Sequence, residues 1–488
     1  MRKNSIMMVL YEILCLFVPL IITPYISRTI GAEGIGVYSF TYSIVTYFVI
    51  FVQLGIKLYG RREIAKVNDS KEQYSSTFWE LFACELAMFA IISVIYTLFI
   101  VVFVGNSVYR VALIIQYIEI IVALLDISWL YFGIEKFSAI IIRNVLVRIS
   151  EIVFIFSFIH KSDDVYTYIL IMSGCNLLGV LSMWFKINCI IDYVRVSTDK
   201  ILRRIKPLLQ LFIPVLSTTL FSIVDKTIIG ALIDAKNVGY YENAYKIAKI
   251  PVVVVTALGN VAMPRITKLI ADGKESESRI FLEKSMSLIM GITCAMSFGM
   301  YSISSVFIPW YLGEEFKASV PLFQILAFMI VFIGWGNVIR TQYMLPKGLD
   351  LLYTKSVVYA AIINIFLSIV LVLPLGAKGV AIASLVAEIV ICVYSAIKIR
   401  KEIDLFLLIK NNNGYIIAGL LMAICVKSVG NILKDNISEL VVLICQVALG
   451  AIIYVICEIF IEIITKHYVF LYEIKEIFEK ITKRRTCN

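Results

Sequence analysis

Long apolar runs alternate with short polar segments along almost the whole chain. Six runs contain no Asp, Glu, Lys or Arg: Gly34–Ile56, Leu86–Tyr109, Val165–Phe185, Ser285–Gly313, Ala318–Ile339 and Ser356–Ala377. A helix needs about 20 mostly apolar residues to cross a hydrocarbon core of roughly 30 Å. Other runs meet this rule once one or two ionisable residues are tolerated, as in Val111–Ile134 with Glu119 and Asp126. The spacing predicts an all-α integral membrane protein with about 14 transmembrane helices, within a range of about 12–14.

Composition sharpens this picture. Of the 488 residues, 60% are apolar and 16% are charged, against about 25% charged in soluble domains. The formal charge of +10 would suggest nucleic acid if the cations shared one surface, but they do not. With the N-terminus cytoplasmic, 30 of the 45 Lys and Arg fall in inside segments, seven in outside loops and eight within spans. Cytoplasmic loops retain Lys and Arg, so the tally predicts an even number of spans with both termini cytoplasmic. A cleaved leader is disfavoured, because Glu12, Pro19 and Pro24 interrupt the first apolar run. Ten cysteines lie scattered without a C-x-x-C pair, which reads as apolar packing and predicts no bound metal.

A weak internal repeat sets the organisation. Phe17-Val18-Pro19 resembles Phe212-Ile213-Pro214, Ile30-Gly31 resembles Ile229-Gly230, and Ile35-Gly36-Val37-Tyr38 resembles Val238-Gly239-Tyr240-Tyr241; Tyr42 and Ile44 align further with Tyr245 and Ile247. Six spans separate the copies, so the repeat is parallel, and parallel repeats form two lobes about an axis along the membrane normal. The expected division is a six-helix lobe over 1–187, a basic cytoplasmic linker over 188–206, a second six-helix lobe over 207–397, two additional helices over 398–465, and a cytoplasmic amphipathic tail over 466–488. In the tail, Phe470, Ile474, Ile477, Phe478 and Ile481 recur at helical spacing, the pattern of a helix lying on the inner leaflet.

The chain resembles the Wzx-type polysaccharide flippases of the MOP superfamily, which also holds the MATE exporters and the lipid II flippases. The likeness is carried by Thr23-Pro24-Tyr25-Ile26-Ser27-Arg28-Thr29-Ile30-Gly31, by Gly34-Ile35-Gly36-Val37-Tyr38, and by Gly55-Ile56-Lys57-Leu58-Tyr59-Gly60-Arg61-Arg62-Glu63-Ile64-Ala65. It implies transfer of an undecaprenyl-pyrophosphate-linked oligosaccharide to the outer leaflet for O-antigen, capsule or a similar surface polysaccharide. A polysaccharide polymerase and chain-length machinery are the expected protein partners.

A charge within the membrane costs about 2.5–3.5 kcal/mol on insertion scales and generally faces a cavity or a partner. Arg28, Lys57, Arg143, Arg148, Lys226, Lys246 and Arg340 are candidates to line a cationic cleft between lobes, where arginine forks suit pyrophosphate oxygens. Asp126 and Asp225 are candidates for proton or sodium coupling; no cofactor is expected. Local pairing competes with these roles: Arg148 lies three residues before Glu151, and Lys246 four after Glu242. Lys249, Arg61 and Arg62 also suit snorkelling at the boundary.

Two other functions compete. A MATE-like exporter of cationic molecules needs an acidic lining, whereas the first two spans are basic. A membrane polymerase or acyltransferase needs clustered catalytic groups, yet the two histidines, His160 and His467, fall on opposite sides. The expectation is therefore a transporter, without enzymatic activity.

Overall fold

The computed structural model describes residues 18–105, 107–400, 402, 412–433 and 437–465; the expected tail helix and most of the first span lie outside these residues. Among the described residues the fold is entirely helical. Twelve segments are long and apolar enough to cross a membrane. Phe137–Phe158 adds a 22-residue helix carrying Arg143, Arg148 and Glu151, and residues 18–29 form the visible part of the first helix. These agree with an expected 12–14 spans. Many outward apolar side chains, including Leu178 and Phe103, are exposed, as lipid contact requires. Inside, Thr41, Ser43 and Thr46 donate to carbonyls four residues back, which lets hydroxyls sit in an apolar bundle.

Packing divides the chain into two compact units, one up to Glu242 and one from Asn243. In the first, α1 (18–29) leads into α2 (Gly31–Gln53), α3 (Ile56–Lys66), α4 (Lys71–Phe103), α5 (Val108–Leu125), α6 (Ser128–Gly133), α7 (Phe137–Phe158), α8 (Val165–Trp184) and α9 (Thr198–Leu232). Helix α9 starts within the linker segment and packs against α2 and α4, which places it in the first unit. The division falls within α10 (Ala235–Ala248).

Two breaks shape the first unit. The second span stops at Gln53 because Leu54 and Gly55 take φ of 41° and 76°. Glycine suits that turn, having no Cβ to clash; a Cβ there would also meet the backbone N of Phe212 in α9 at 3.2 Å. Lys57 therefore opens a new helix rather than continuing span two. The fourth span likewise stops at Asp126, whose Oδ1 accepts the Ser128 amide at 3.2 Å, while the Trp184 indole donates to the freed Leu125 carbonyl at 2.8 Å. Interrupted helices are tolerated in membranes where other groups satisfy the released backbone.

The two repeat copies touch at equivalent positions. A Cβ on Gly36 would lie 1.6 Å from the Ala235 carbonyl oxygen, and one on Gly239 would lie 1.9 Å from that of Ala32. Each helix thus brings an Ala-x-x-x-Gly face to the other's, and only hydrogen at the two glycines allows the approach.

The second unit contains α11 (Ile250–Ala271), α12 (Glu275–Leu312), α13 (Val320–Ala327), α14 (Met329–Asn337), a π-helical turn over Val338–Met344, α15 (Asp350–Leu375), α16 (Ala377–Ile399), α17 (Asn413–Leu433) and α18 (Glu439–Thr465). The last two pack on each other and on α12. In the π turn the Leu345 amide reaches back five residues to the Arg340 carbonyl at 3.0 Å. π turns are often found at functional sites.

Candidate functional site

The breaks after α2 and α5 bring three charged residues together. Lys57 Nζ lies 2.8 Å from Asp126 Oδ2, and Arg143 Nη1 lies 3.2 Å from Asp126 Oδ1. The Asp126 side chain is 11% exposed and that of Arg143 is 15%. With formal charges, two cations on one carboxylate leave the trio one net positive charge. Arg143 is fixed further by Asn144, whose Oδ1 accepts from Nε at 2.9 Å and from Nη2 at 2.6 Å.

Beside this trio lies a polar cavity of about 280 Å³, walled by Asp126, Arg143, Asn144, Arg148 and Asn176 among others. Arg148 donates to Glu151 at 2.6 Å, so the three-residue spacing does form a pair, and its side chain is 38% exposed. Asn176 donates to buried Glu119 at 3.2 Å. Burying such groups is tolerated only when each finds a partner, and this wall supplies partners from three helices, α5, α7 and α8.

Other candidates lie elsewhere. Asp225 accepts the Tyr241 hydroxyl at 2.6 Å and the neighbouring Lys226 meets Glu242 at 3.1 Å. Consecutive residues of α9 are thereby joined to consecutive residues of α10. Arg28 is exposed at the end of α1, and Lys246 is exposed on α10. Lys249 lies 4.3 Å from the centre of the Tyr245 ring.

Arg340 sits on the π turn of the second unit. Its Nε donates to the Gly336 carbonyl at 3.2 Å and its guanidinium lies 5.5 Å from the centre of the Tyr353 ring. Among the described residues no carboxylate lies within 4.0 Å of it. A Cβ on Gly336 would come within 3.1 Å of Nη2 and 3.2 Å of the Cys392 sulfur, so glycine makes the seat.

Reading the spans by charge alone passes over Asn144 and Asn176. Neutral amides in apolar runs were the available signal. It also passes over Arg204 of α9, which donates to Tyr59 at 3.2 Å and to Glu63 and Glu80 at 2.8 Å each, tying α3, α4 and α9 together. No group of three His, Cys, Asp or Glu able to hold a metal occurs among the described residues.

Helices long and apolar enough to cross a membrane, broken beside a charged cavity in the first unit, are those of a multi-pass membrane protein. Residues 1–270 match the sequence profile of the polysaccharide biosynthesis protein family, Polysacc_synt. The chain belongs to that family. A protein of Escherichia coli (strain K12) named for O-antigen transport is 23% identical over 391 residues, covering 80% of this chain and 94% of the relative. A teichuronic acid biosynthesis protein of Bacillus subtilis (strain 168) is 32% identical over 108 residues, about 21% of each chain. Among solved structures, the lipid II flippase MurJ has the same fold, with a TM-score of 0.72 at 16% identity over 95% of this chain and 99% of that one. A multidrug resistance MATE transporter of the MOP superfamily follows at 0.58 and 14% identity, covering 76% and 93%. The resemblance read from the motifs near the N-terminus is thus borne out in family and in fold.

Proposed function

We propose that this protein flips lipid-linked oligosaccharide from the inner to the outer leaflet for surface polysaccharide assembly. The observation that carries this reading is the polar cavity between α5, α7 and α8, with two arginines and two asparagines on its wall. A pyrophosphate-sugar head group presents anionic oxygens for guanidinium N–H groups and hydroxyls for amides, while its polyprenyl tail stays in lipid. Arg148, part-exposed on the wall, offers donors to the anion, and Arg143 is held in place by Asp126 and Asn144. Names of relatives that refer to O-antigen transport and glycan flipping support the same substrate class.

A cationic wall disfavours export of cationic drugs. Alternating access is the corresponding proposal for mechanism, and Arg340 of the second unit is a separate candidate for anion contact. For proton or sodium coupling, Asp225 is the stronger candidate, because Lys57 and Arg143 already occupy both oxygens of Asp126. A polymerase and chain-length machinery would take the product outside.

The test is reconstitution of the full chain in vesicles carrying a fluorescent undecaprenyl-pyrophosphate-linked sugar, with outer-leaflet probe quenched by a membrane-impermeant reductant. Protein-dependent acceleration of exchange between leaflets is expected. Exchange no faster than in empty vesicles, from protein that remains monodisperse, would overturn the reading.

A further inference from the structure

A second cavity, of about 480 Å³, opens between α7 and α8 on the lipid-facing side of the first unit. Its walls are mostly apolar, and Ile142, Leu146 and Phe185 on them are 52%, 58% and 93% exposed. Its polar residues include Lys136 and Lys186, both exposed, and no acidic residue lines it. Among the described residues neither lysine has a carboxylate within 4.0 Å. The groove and the polar cavity share one lining residue, Arg143. At this junction Arg143 Nη1 lies 3.1 Å from the Met183 sulfur, and methionine is the side chain that re-packs most readily.

We propose that this groove is the inner-leaflet entry site for the polyprenyl-pyrophosphate end of the substrate. The first isoprene units lie along Ile142, Leu146 and Phe185, and the pyrophosphate meets Lys136, Lys186 and Arg143. The argument rests on the flippase reading above and on the cytoplasmic placement of Lys136 and Lys186 by the positive-inside pattern. Charge complementarity alone would suit any anionic phospholipid. Continuity through Arg143 into a cavity walled by Arg148, Asn144 and Asn176 favours a lipid whose head group extends beyond the phosphate, because an ordinary phospholipid has nothing to place there. The groove, at about 480 Å³, falls within the roughly 300–1,000 Å³ of ordinary ligand sites.

Binding of undecaprenyl pyrophosphate to the full-length protein in phosphatidylcholine nanodiscs tests this. Two variants block the groove: Ile142→Trp fills it, and Lys136→Gln with Lys186→Gln removes its cations. Val261→Trp, on a side chain 79% exposed in the second unit, controls for added bulk at a lipid-facing position. Each groove variant is expected to weaken binding about tenfold, or about 1.4 kcal/mol, with Val261→Trp unchanged. Unchanged binding in both groove variants overturns the entry site. Displacement of the probe by phosphatidylglycerol at equal mole fraction also overturns it, showing a general anionic-lipid site. If the wild-type protein itself does not bind undecaprenyl pyrophosphate, the substrate reading fails, and that result is separate from failure of the groove.

Discussion

In the first unit, Lys57, Arg143, Arg148 and Lys226 each meet a carboxylate within 3.2 Å. In the second unit, Arg340 rests on the Gly336 carbonyl and the Tyr353 ring instead. The first arrangement resembles a lock, since each pair has at least one buried member that depends on a charged partner. The second is a mount: own-helix carbonyl and ring hold the guanidinium with no carboxylate in ion-pair range among the described residues, buried Glu388 being a more distant electrostatic partner. Loss of a partner is therefore expected to cost more stability in the first set than at Arg340, where a substitution should act chiefly on transport.

The largest expected effect comes from breaking the lock. Asp126→Asn leaves Lys57 and Arg143 facing each other across a neutral amide. Breaking a buried ion pair costs about 3–5 kcal/mol; partial exposure of Lys57 places this one at the lower end. Thermal unfolding of the purified protein should show a clear drop, partly restored by adding Lys57→Met. A drop unaffected by the second substitution would mean that Asp126 acts chiefly through the Ser128 amide.

Arg340→Ala should behave in the opposite way, with unfolding temperature and membrane abundance near wild type and leaflet exchange reduced by about tenfold. That matches the roughly 1.5–3 kcal/mol of a hydrogen bond to a charged group. Gly336→Ala should give a smaller loss of exchange, and none when Arg340 is already alanine. Equal losses in both backgrounds would show that Gly336 matters only for packing.

The smallest effect concerns an ion pair at the membrane boundary. Lys347 Nζ lies 2.7 Å from Glu402, which also accepts the Tyr343 hydroxyl. The hydrogen bond from Lys347, then that from Tyr343, holds the Glu402 carboxyl below its ordinary value. A depressed carboxylate contributes stability above its unfolded value, near 4.3, and loses it as pH falls through the lower folded value. Being largely solvent-screened, the pair is worth about 0.5 kcal/mol. Glu402→Gln should therefore lower the unfolding temperature slightly at pH 7, and the gap should close as pH falls through the lowered folded value. A gap that persists in acid would assign the effect to packing.

The spans were legible because each needs about 20 apolar residues, a constraint written directly into composition. Gly36 and Gly239, matched by pattern alone, each lie so close to an alanine carbonyl of the other segment that a Cβ could not fit. The charged site was only half legible. Lys57, Asp126 and Arg143 stood out as charges in apolar runs, but nothing local shows that they meet. Their meeting depends on a turn at Leu54-Gly55 and a stop at Asp126, and neither break carries a proline. Arg148 and Glu151 could be paired by spacing because both lie on α7; Lys226 could not, because its partner Glu242 sits on the next helix. The seat of Arg340 was hidden altogether, since it depends on a π turn and on Cys392, 52 positions further along.

The reciprocal contact of Ala32 and Gly36 with Ala235 and Gly239 is self-complementary. A surface that is its own complement is what a two-fold homodimer requires. A half-length chain bearing one Ala-x-x-x-Gly face could pair with a second copy of itself through it, and gene duplication followed by fusion would carry that dimer contact into a single polypeptide. Fusion also frees the copies to diverge, but not at these four positions: bulk gained at either glycine is resisted by the alanine backbone of the other copy.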